Sequence, residues 1–225
     1  LSSRLRVPSS GRGGASHRIG TILFVATGHP RYLYRFHSSP VGSQWAEYLD
    51  WQLQFLSALP QSLRRHLVFR PYRYDYGHAV RQRISERFPQ IRWEATRPFS
   101  RLLRQARVVV IDHCATTCLE ALVANVPTVL FWDPHRWELR PAAESWFERL
   151  PQVGILWDAP EQAAEQVARI SHEPTAWWES HAVQEARRSV VQRYAQARPD
   201  WQECWARTLE DLASPASSAG GRSVG

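Results

Sequence analysis

Short apolar runs alternate with stretches of helical periodicity over most of this 225-residue chain. Runs of branched and aromatic residues without polar alternation are typical of strands that are buried on both faces of a parallel sheet. Six such runs are predicted as strands, at residues 21–26, 67–70, 91–94, 108–112, 128–132 and 154–157. The alternation therefore predicts an α/β fold in which helices cover both sides of a parallel sheet.

Helical periodicity fills the intervals between these runs, at residues 43–59, 78–87, 99–105, 116–124, 140–149 and 160–170. The first of these helices is predicted to bury a stripe of apolar residues at helical spacing: Trp45, Leu49, Leu53 and Leu56. Two further helices are predicted beyond the last strand, over about 178–194 and 200–212. The predicted architecture is a Rossmann-like sheet of about six strands flanked by helices, with additional C-terminal helices.

The length of 225 residues allows one large domain or two small ones. With 44% hydrophobic and 12% aromatic residues, the chain can fill a substantial core. The prediction is a single α/β domain. This domain is predicted to span residues 19–213. Residues 1–18, rich in Ser, Gly and Arg, are predicted to be a disordered arm or linker, and residues 214–225 a disordered tail. The chain does not begin with methionine. We therefore expect a fragment, a processed product or a misassigned start.

Several classes of protein are disfavoured by the composition. No apolar run approaches the length of a transmembrane segment, and the N-terminus lacks the apolar region of a secretory signal. Three cysteines are an odd number, which favours a reducing, cytoplasmic location over a disulfide framework. The net charge is +7 and every basic residue is arginine, but the arginines are scattered, so no nucleic-acid partner is predicted.

The segment from Val108 to Phe131 carries the strongest functional signal. It is predicted to form a strand, a polar turn, a helix and a second strand, with the turn starting at Asp112. In an open α/β sheet, ligands bind at the carboxyl ends of the strands. A helix that begins there offers free backbone N–H groups and a partial positive charge. These features predict a phosphate-bearing ligand.

Two interpretations of the helix start remain open. The hydroxyl and N–H groups of Thr116 and Thr117 suit a diphosphate, and Glu120 suits the hydroxyl groups of a ribose. Alternatively, Thr117 and Glu120 match a capping box, in which each side chain bonds to the other residue's backbone N–H group. The apolar residues on both sides of Glu120 favour the ribose interpretation for this residue.

The residues between Asp112 and Thr116 also carry alternatives. His113 is a candidate general base or phosphate donor, although a local hydrogen bond within the turn is the favoured interpretation. Cys114 and Cys118 have a spacing that invites comparison with metal sites. Structural zinc needs four well-spaced ligands, so the two cysteines are predicted to be small buried side chains. No metal and no cofactor other than a nucleotide-linked donor is predicted.

Two other predicted strand ends offer ligand-binding residues. Gly28 follows the first strand, where the absence of a side chain would let a ligand approach the backbone. It is a single glycine rather than the fingerprint of a dinucleotide site. Arg70 ends the second strand and either contacts a phosphate or forms a surface ion pair.

The loop after the fifth predicted strand is dense in aromatic and charged residues. Such residues suit a sugar ring or a nucleobase, and the alternative is a structured turn. Binding is favoured because the loop lies at the same sheet edge as residues 112–117. The candidate binding residues in this loop are Trp132, Asp133, His135, Arg136, Glu138 and Arg140.

Part of the sequence resembles a known family. The run from Asp112 through Thr116-Thr117-x-x-Glu120-Ala121-Leu122 to Asn125-Val126-Pro127 is similar to the C-terminal, nucleotide-binding half of GT-B glycosyltransferases. A longer pattern, over about residues 20–205, resembles a family of bacterial transferases linked to surface-carbohydrate biosynthesis. The positions that carry this resemblance include Asn125-x-Pro127-Thr-Val-x-Phe131-Trp132, Glu138-x-Arg140-x-x-Ala143, Gly154-Ile155, Trp177-Trp178 and the upstream Ser39-Pro40, Tyr48 and Arg70-x-Tyr72-x-x-Asp75.

The resemblance implies a donor-binding domain of a transferase that moves a sugar, or a sugar-like group, from a nucleotide carrier to a glycan or lipid-linked acceptor. It implies phosphate contacts from Thr116 and Thr117 and ribose contacts from Glu120. It also implies a preceding N-terminal domain that supplies the acceptor site, with the enzyme in the cytoplasm or at the inner face of the membrane. We therefore expect this chain alone to bind nucleotide weakly and to turn over slowly or not at all.

Other functions stay open on the sequence. Within the same fold, the alternatives are a nucleotide-sugar epimerase and a glycerophosphotransferase that uses a CDP-glycerol-type donor. In a different class, the alternative is a non-catalytic scaffold whose aromatic loop and terminal helices hold a partner. Nucleotide binding separates the enzymes from the scaffold.

Overall fold

A six-stranded parallel sheet forms the centre of the chain, in a computed structural model that describes residues 20–32, 42–196 and 199–213. The strands are β1 (Ile22–Val25), β2 (Leu67–Arg70), β3 (Arg92–Trp93), β4 (Val108–Ile111), β5 (Thr128–Phe131) and β6 (Leu156–Trp157). All six lie within the predicted runs, so the α/β prediction is confirmed. The predicted arm (residues 1–18) and tail (residues 214–225) lie outside the described residues.

The strand order is β3-β2-β1-β4-β5-β6, and all neighbours pair in parallel. The chain moves outwards from β1 to β3 and then returns to the other side of β1 with β4. The direction of winding therefore reverses between β1 and β4, where Val25 lies opposite Ile111. In sheets of this type, the crevice beyond the carboxyl ends at the reversal is where ligands bind.

Helices cover both faces of the sheet. Those between the strands are α1 (Trp45–Ala58), α2 (Gln61–Arg64), α3 (Val80–Arg87), α4 (Phe99–Gln105), α5 (Thr116–Val123), α6 (Pro141–Phe147) and α7 (Arg149–Gln152). The helices after β6 are α8 (Pro160–Ile170), α9 (Pro174–Trp178), α10 (His181–Tyr194) and α11 (Trp201–Ala213). The predicted helix 140–149 is wrong in its extent, because it ends at Phe147 and a separate short helix follows. The short helix α2 was not predicted.

The sheet has a hydrophobic core on each side, which explains why its strands are apolar throughout. Phe24 and Phe69 stack at 4.8 Å on one face, where α1 and α8 pack. Leu23 and Val25 point to the other face, with Leu122 of α5 and Val190 of α10. Alternate residues of one strand thus enter different cores, so both must be apolar.

The buried face of α1 differs from the predicted stripe. Leu49 and Leu56 are buried as predicted, but Trp45 and Leu53 are only half-buried. The helix is rotated so that Tyr48 and Gln52 are buried as well, one turn apart. Two polar groups are therefore carried into the interior, and both contact the predicted ligand edge.

The C-terminal helix α11 has no buried residue, and its Trp205 is 63% exposed. Among the residues that the structure describes, no helix is long and apolar enough to cross a membrane.

Candidate functional site at the carboxyl edge of the sheet

The first residue after β4 is a buried carboxylate at the reversal of the sheet. Asp112 is 2% exposed, and both of its oxygens accept hydrogen bonds from α1. The Tyr48 hydroxyl donates to Oδ1 at 2.8 Å, and the Gln52 amide donates to Oδ2 at 2.7 Å. A buried carboxylate needs such donors, because desolvation without them is costly. Asp112 therefore joins α1 to the end of β4.

Tyr48 also connects this carboxylate to the end of β1. Its hydroxyl oxygen accepts a hydrogen bond from the Thr27 backbone N–H at 3.0 Å. Burial, followed by the charge of Asp112, raises the pKa of Tyr48 well above its usual value. The phenol therefore keeps its proton and donates it to Asp112. The ends of β1 and β4 are thus joined through one side chain of α1.

His113 lies inside this network rather than at the surface. It is 2% exposed, and its Nδ1 is 2.9 Å from Asp112 Oδ1. Its Nε2 is 2.7 Å from the hydroxyl oxygen of Thr117. Both ring nitrogens are thus engaged within the turn. The local hydrogen-bonding interpretation of His113 describes this geometry, whereas a general base would have to face a substrate.

The helix start differs from the capping-box prediction, which is wrong. The N-cap is Ala115, whose side chain cannot accept a hydrogen bond, and Thr117 is already the second helical residue. Glu120 therefore lies beyond the position from which it could reach the N-cap N–H group. The first helical turn is closed by Cys118 N–H, which donates to the Ala115 carbonyl at 3.0 Å. The N–H groups of Thr116 and Thr117 precede that bond and belong to the unpaired start of a helix.

The three predicted ligand-binding residues of α5 differ in exposure. Thr116 is exposed, while Thr117 and Glu120 are half-buried. Partial burial raises the pKa of the Glu120 carboxyl. A carboxylate held in a partly desolvated position gains from a hydroxyl donor, since it has given up part of its hydration. This exposure is compatible with the predicted contacts to phosphate and ribose.

The two cysteines of the turn pack against the core. Cys118 is 1% exposed, and Cys114 is half-buried against the same side of the sheet. A hydrogen bond between the two thiols lowers the pKa of Cys114, while that bond and burial raise the pKa of Cys118. Within residues 20–32, 42–196 and 199–213, no group of three His, Cys, Asp or Glu side chains is placed to hold a metal ion.

The glycine after β1 has a packing partner. A Cβ atom on Gly28 would lie 2.6 Å from Cδ1 of Tyr72, so a side chain at this position would displace the tyrosine ring. Tyr72 is 41% exposed and belongs to the loop after β2. The absence of a side chain at position 28 therefore lets the Tyr72 ring cover the backbone at the end of β1.

Arg70 ends β2 and is half-buried. Its Nη1 donates to the Arg97 carbonyl at 2.9 Å, and burial lowers its pKa. The loop that presents this carbonyl is held by Glu94, whose pKa is lowered to about 2, chiefly by hydrogen bonds from the backbone N–H groups of Arg97 and Thr96. The Arg70 guanidinium has five N–H donors, so the bond to Arg97 leaves donors for an anion. The charge of Glu94 also acts on Arg70 and opposes the effect of burial on its pKa, so the phosphate contact and the surface ion pair both stay open as predictions.

The loop after β5 forms a structured turn that faces the same network. The Asp133 carboxylate accepts a hydrogen bond from the His135 N–H at 2.8 Å, and Arg136 binds Glu47 of α1 through Nε at 2.9 Å. Trp132 and Trp137 are buried, with 4% and 8% of their surfaces exposed. Asp133 and Arg136 are half-buried, whereas the other predicted residues of this loop are exposed: His135, Glu138 and Arg140.

Two cavities open around this loop. A small one of about 20 Å³ lies between the loop and α1, against Asp112 and Tyr48. A cleft of about 690 Å³ lies beyond β5 and β6, with Trp132, Trp137 and Trp157 in its lining. Its other lining residues include three carboxylates: Glu138, Glu144 and Asp158. This second space is of a size that small-molecule sites have.

Four residues of the site were not predicted from their chemistry. Three of them come from α1, whose sequence predicted only an apolar stripe: Glu47, Tyr48 and Gln52. The fourth is Trp137, whose ring centroid lies 6.0 Å from that of His113. A usable signal was present in α1. Tyr48 and Gln52 are four residues apart on a face that is otherwise buried, which is typical of a polar pair directed at an interior partner.

Comparison with known proteins identifies a family that the chain matches. A family model described as "LIC12162 family transferase" matches residues 7–209. Among curated proteins, the sequence search found no match.

A solved structure shares the fold. The calicheamicin glycosyltransferase CalG4 superimposes with a TM-score of 0.50 at 18% sequence identity, over 92% of this chain and 46% of that one. WaaG, a glycosyltransferase involved in lipopolysaccharide biosynthesis, gives a TM-score of 0.44 at 15% identity, over 88% of this chain and 48% of that one. The chain thus spans about half the length of these two structures. Its sheet is similar to a domain of GT-B glycosyltransferases, as the sequence predicted.

Proposed function

Because the chain belongs to the LIC12162 family of transferases, we propose that it binds the nucleotide-linked donor of a glycosyl transfer reaction at the carboxyl edge around α5. One observation carries the proposal. The helix that begins at the reversal of the sheet presents unpaired N–H groups, the exposed Thr116 hydroxyl and the half-buried Glu120 within its first turns. A helix start of this kind binds phosphate.

The donor is proposed to lie across α5 with its diphosphate at the helix start. Thr116, Thr117 and the adjacent N–H groups hold the phosphates, and Glu120 accepts hydrogen bonds from the ribose hydroxyls. Arg70 lies two strands away from β4, at about 10 Å. The length of a diphosphate and the length of an arginine side chain together can span this distance. The Arg70 guanidinium, which now bonds to the Arg97 carbonyl, is therefore proposed as a second phosphate contact.

The sugar is proposed to lie against the loop after β5. The aromatic rings of the 690 Å³ cleft suit the faces of a sugar or a base, and its carboxylates accept hydrogen bonds from hydroxyl groups. The same carboxylates repel phosphates. This charge distribution supports an orientation with the diphosphate at α5 and the uncharged end of the donor at the loop.

The proposed chemistry is transfer without a metal ion. An acceptor hydroxyl attacks the anomeric carbon, its proton passes to a base, and the bond to the diphosphate breaks with its electron pair on the leaving oxygen. Oriented N–H groups and Arg70 stabilise that developing charge. By the resemblance of the sequence, the acceptor is a glycan or lipid-linked precursor of bacterial surface carbohydrate, modified at the inner face of the membrane.

Transfer itself is proposed to need residues beyond these 225. CalG4 is about twice as long as its region that matches this chain, and the described edge holds the proposed donor-binding groups around a histidine whose ring nitrogens both bond within the turn. We therefore expect nucleotide binding without transfer at ordinary enzymatic rates. Sustained transfer by the purified chain would contradict this part of the proposal.

The test is calorimetry of the purified chain with UDP-glucose, CDP-glycerol and CMP-linked donors. The double variant Thr116→Val and Glu120→Gln is expected to weaken binding by about tenfold or more, since the first removes a hydroxyl donor and the second replaces a charged acceptor with a neutral amide. A matched double variant, Thr175→Val and Glu165→Gln, changes two exposed residues on α9 and α8 and is expected to bind normally. If no nucleotide binds to the folded chain, the scaffold alternative replaces the proposal.

A further inference from the structure

The hydrogen-bond chain from Asp112 through His113 to Thr117 decides which way the Thr117 hydroxyl group points. We propose that binding of the donor diphosphate at the start of α5 is coupled to uptake of one proton by His113. The inference rests on the proposed function, because it concerns how that phosphate site is switched. In it, His113 is a positioning residue that acts on the ligand through Thr117.

The first step is that Asp112 has no proton to give. Tyr48 accepts the Thr27 N–H at 3.0 Å, so its own hydrogen is free to point to Asp112 Oδ1 at 2.8 Å. Gln52 donates to the other carboxylate oxygen at 2.7 Å. With donors on both oxygens, Asp112 is held as an acceptor-only carboxylate.

The second step fixes the tautomer of His113. Its Nδ1 lies 2.9 Å from Asp112 Oδ1, and a contact with a carboxylate requires that Nδ1 carry the hydrogen. In a neutral ring, Nε2 then has a lone pair and no hydrogen. The Thr117 hydroxyl, 2.7 Å away, must donate to that nitrogen.

The third step concerns whether the Thr117 hydroxyl group offers its hydrogen or its lone pairs to a ligand. A threonine hydroxyl has one hydrogen, so with a neutral His113 only oxygen lone pairs remain for the phosphate site. Lone pairs repel phosphate oxygens. If His113 is protonated, Nε2 becomes the donor and the Thr117 hydrogen is released towards the ligand. The diphosphate therefore binds the protonated state more tightly, and by linkage its binding raises the protonation of His113.

The groups around His113 can compensate the positive charge that its imidazole gains when a proton is taken up. Asp112 compensates the imidazolium directly, and the incoming phosphate adds negative charge on the Thr117 side. The other titratable or charged groups around this region are Tyr48 and Glu47 from α1, His29 after β1, Asp133 and Arg136 after β5, and Cys114, Cys118 and Glu120 from the α5 segment. The Asp133 carboxylate accepts a hydrogen bond from the His135 N–H. Arg136 is paired with Glu47, at 2.6 Å.

The experiment is calorimetry with UDP-glucose or CDP-glycerol, whose phosphates are both esterified and so do not titrate near neutrality. Binding enthalpies measured in Tris and in PIPES give the number of protons taken up. We expect uptake of up to about one proton by the wild-type chain, and an affinity that falls as the pH rises, by up to about tenfold per pH unit wherever one full proton is taken up.

Variants separate this coupling from a structural role. Thr117→Val keeps the shape of the side chain and removes the hydroxyl, so binding is expected to lose its proton uptake and its pH dependence. Thr116→Val is the matched control, with weaker binding but unchanged proton uptake, because Thr116 lies outside the chain of hydrogen bonds. Proton uptake that persists in Thr117→Val overturns the inference.

The failures of the two proposals are distinguishable. Binding without proton uptake in the wild-type chain refutes the coupling and leaves the nucleotide site intact, whereas no binding refutes the site itself. A ligand-free measurement tests the coupling independently: ¹⁵N NMR of the neutral His113 ring should show the hydrogen on Nδ1. A neutral ring with its hydrogen on Nε2 would overturn the inference even if no ligand binds.

Discussion

At the scale of single residues, the site depends on one buried carboxylate. Asp112 collects a phenol and an amide from α1 and the imidazole of His113. These partners satisfy a desolvated charge, and His113 also bonds to the Thr117 hydroxyl. The proposed phosphate-binding residue Thr117 is therefore held by residues that face inwards.

Removal of one donor from Asp112 tests this dependence. Tyr48→Phe keeps the ring but leaves Asp112 Oδ1 short of a donor and the Thr27 N–H without its acceptor. We expect a loss of about 1–3 kcal/mol in the free energy of unfolding, measured by urea denaturation. The control is Tyr74→Phe, at a side chain that is 56% exposed, where a change within about 0.5 kcal/mol is expected. Equal losses in the two variants would show that the network contributes no stability.

At the scale of elements, α5 joins the site to the rest of the fold through its two ends. Its start carries the proposed phosphate site, and its end is closed by Asn125 in the left-handed region, with φ of 54°. The Asn125 side chain accepts hydrogen bonds from Trp178 at 2.9 Å and Gln184 at 3.0 Å. The C-terminal end of α5, which is remote from the proposed phosphate site, is thereby fixed to α9 and α10.

Two substitutions at Asn125 separate its backbone from its side chain. Asn125→Gly and Asn125→Ala both lose the side-chain contacts to Trp178 and Gln184 and keep the bond from Trp178 Nε1 to the residue 125 carbonyl. Only alanine opposes the left-handed backbone. We expect the alanine variant to be less stable than the glycine variant by about 1–2 kcal/mol in urea denaturation. Nucleotide affinity should be unchanged in both. Equal stability of the two would mean that the backbone relaxes at this position.

At the scale of the whole molecule, the fold lets distant segments form one edge. The contacts to Asp112 come from residues 64 and 60 positions away in the chain. The net charge of +7 attracts an anionic ligand from solution. Because the proposed site combines the start of α5, the end of β2 and the loop after β5, a ligand that binds there should stabilise the molecule as a whole.

The thermal unfolding midpoint measures that stabilisation. A nucleotide at about 100 times its Kd adds about 2.7 kcal/mol to the stability of the folded state. For a chain of this length, this corresponds to a rise in Tm of about 5–10 °C. The Thr116→Val and Glu120→Gln double variant should show a smaller rise at the same nucleotide concentration. A nucleotide that binds by calorimetry without raising Tm would contradict a site that spans these elements.

The sequence by itself determined the periodic features. Six apolar runs became six parallel strands, and the helix starts near residues 99, 116 and 160 were predicted at the right positions, because burial on both faces and helical spacing are local properties. The position of Asp112 and Thr116 at the carboxyl edge followed from the order of strand and helix. The resemblance to a transferase family included this segment within a longer pattern, and the family match over residues 7–209 confirms the resemblance.

Only the tertiary structure decided how side chains meet across the fold. The spacing of Thr117 and Glu120 matched a capping box, but the helix begins one residue after Ala115, so the Thr117 hydroxyl is left to pair with His113. Gly28 was interpreted as space for a ligand, and the structure shows Tyr72 packed there. The rotation of α1 brought Tyr48 and Gln52 to Asp112. Such contacts depend on how whole helices rotate and pack, which no local pattern encodes.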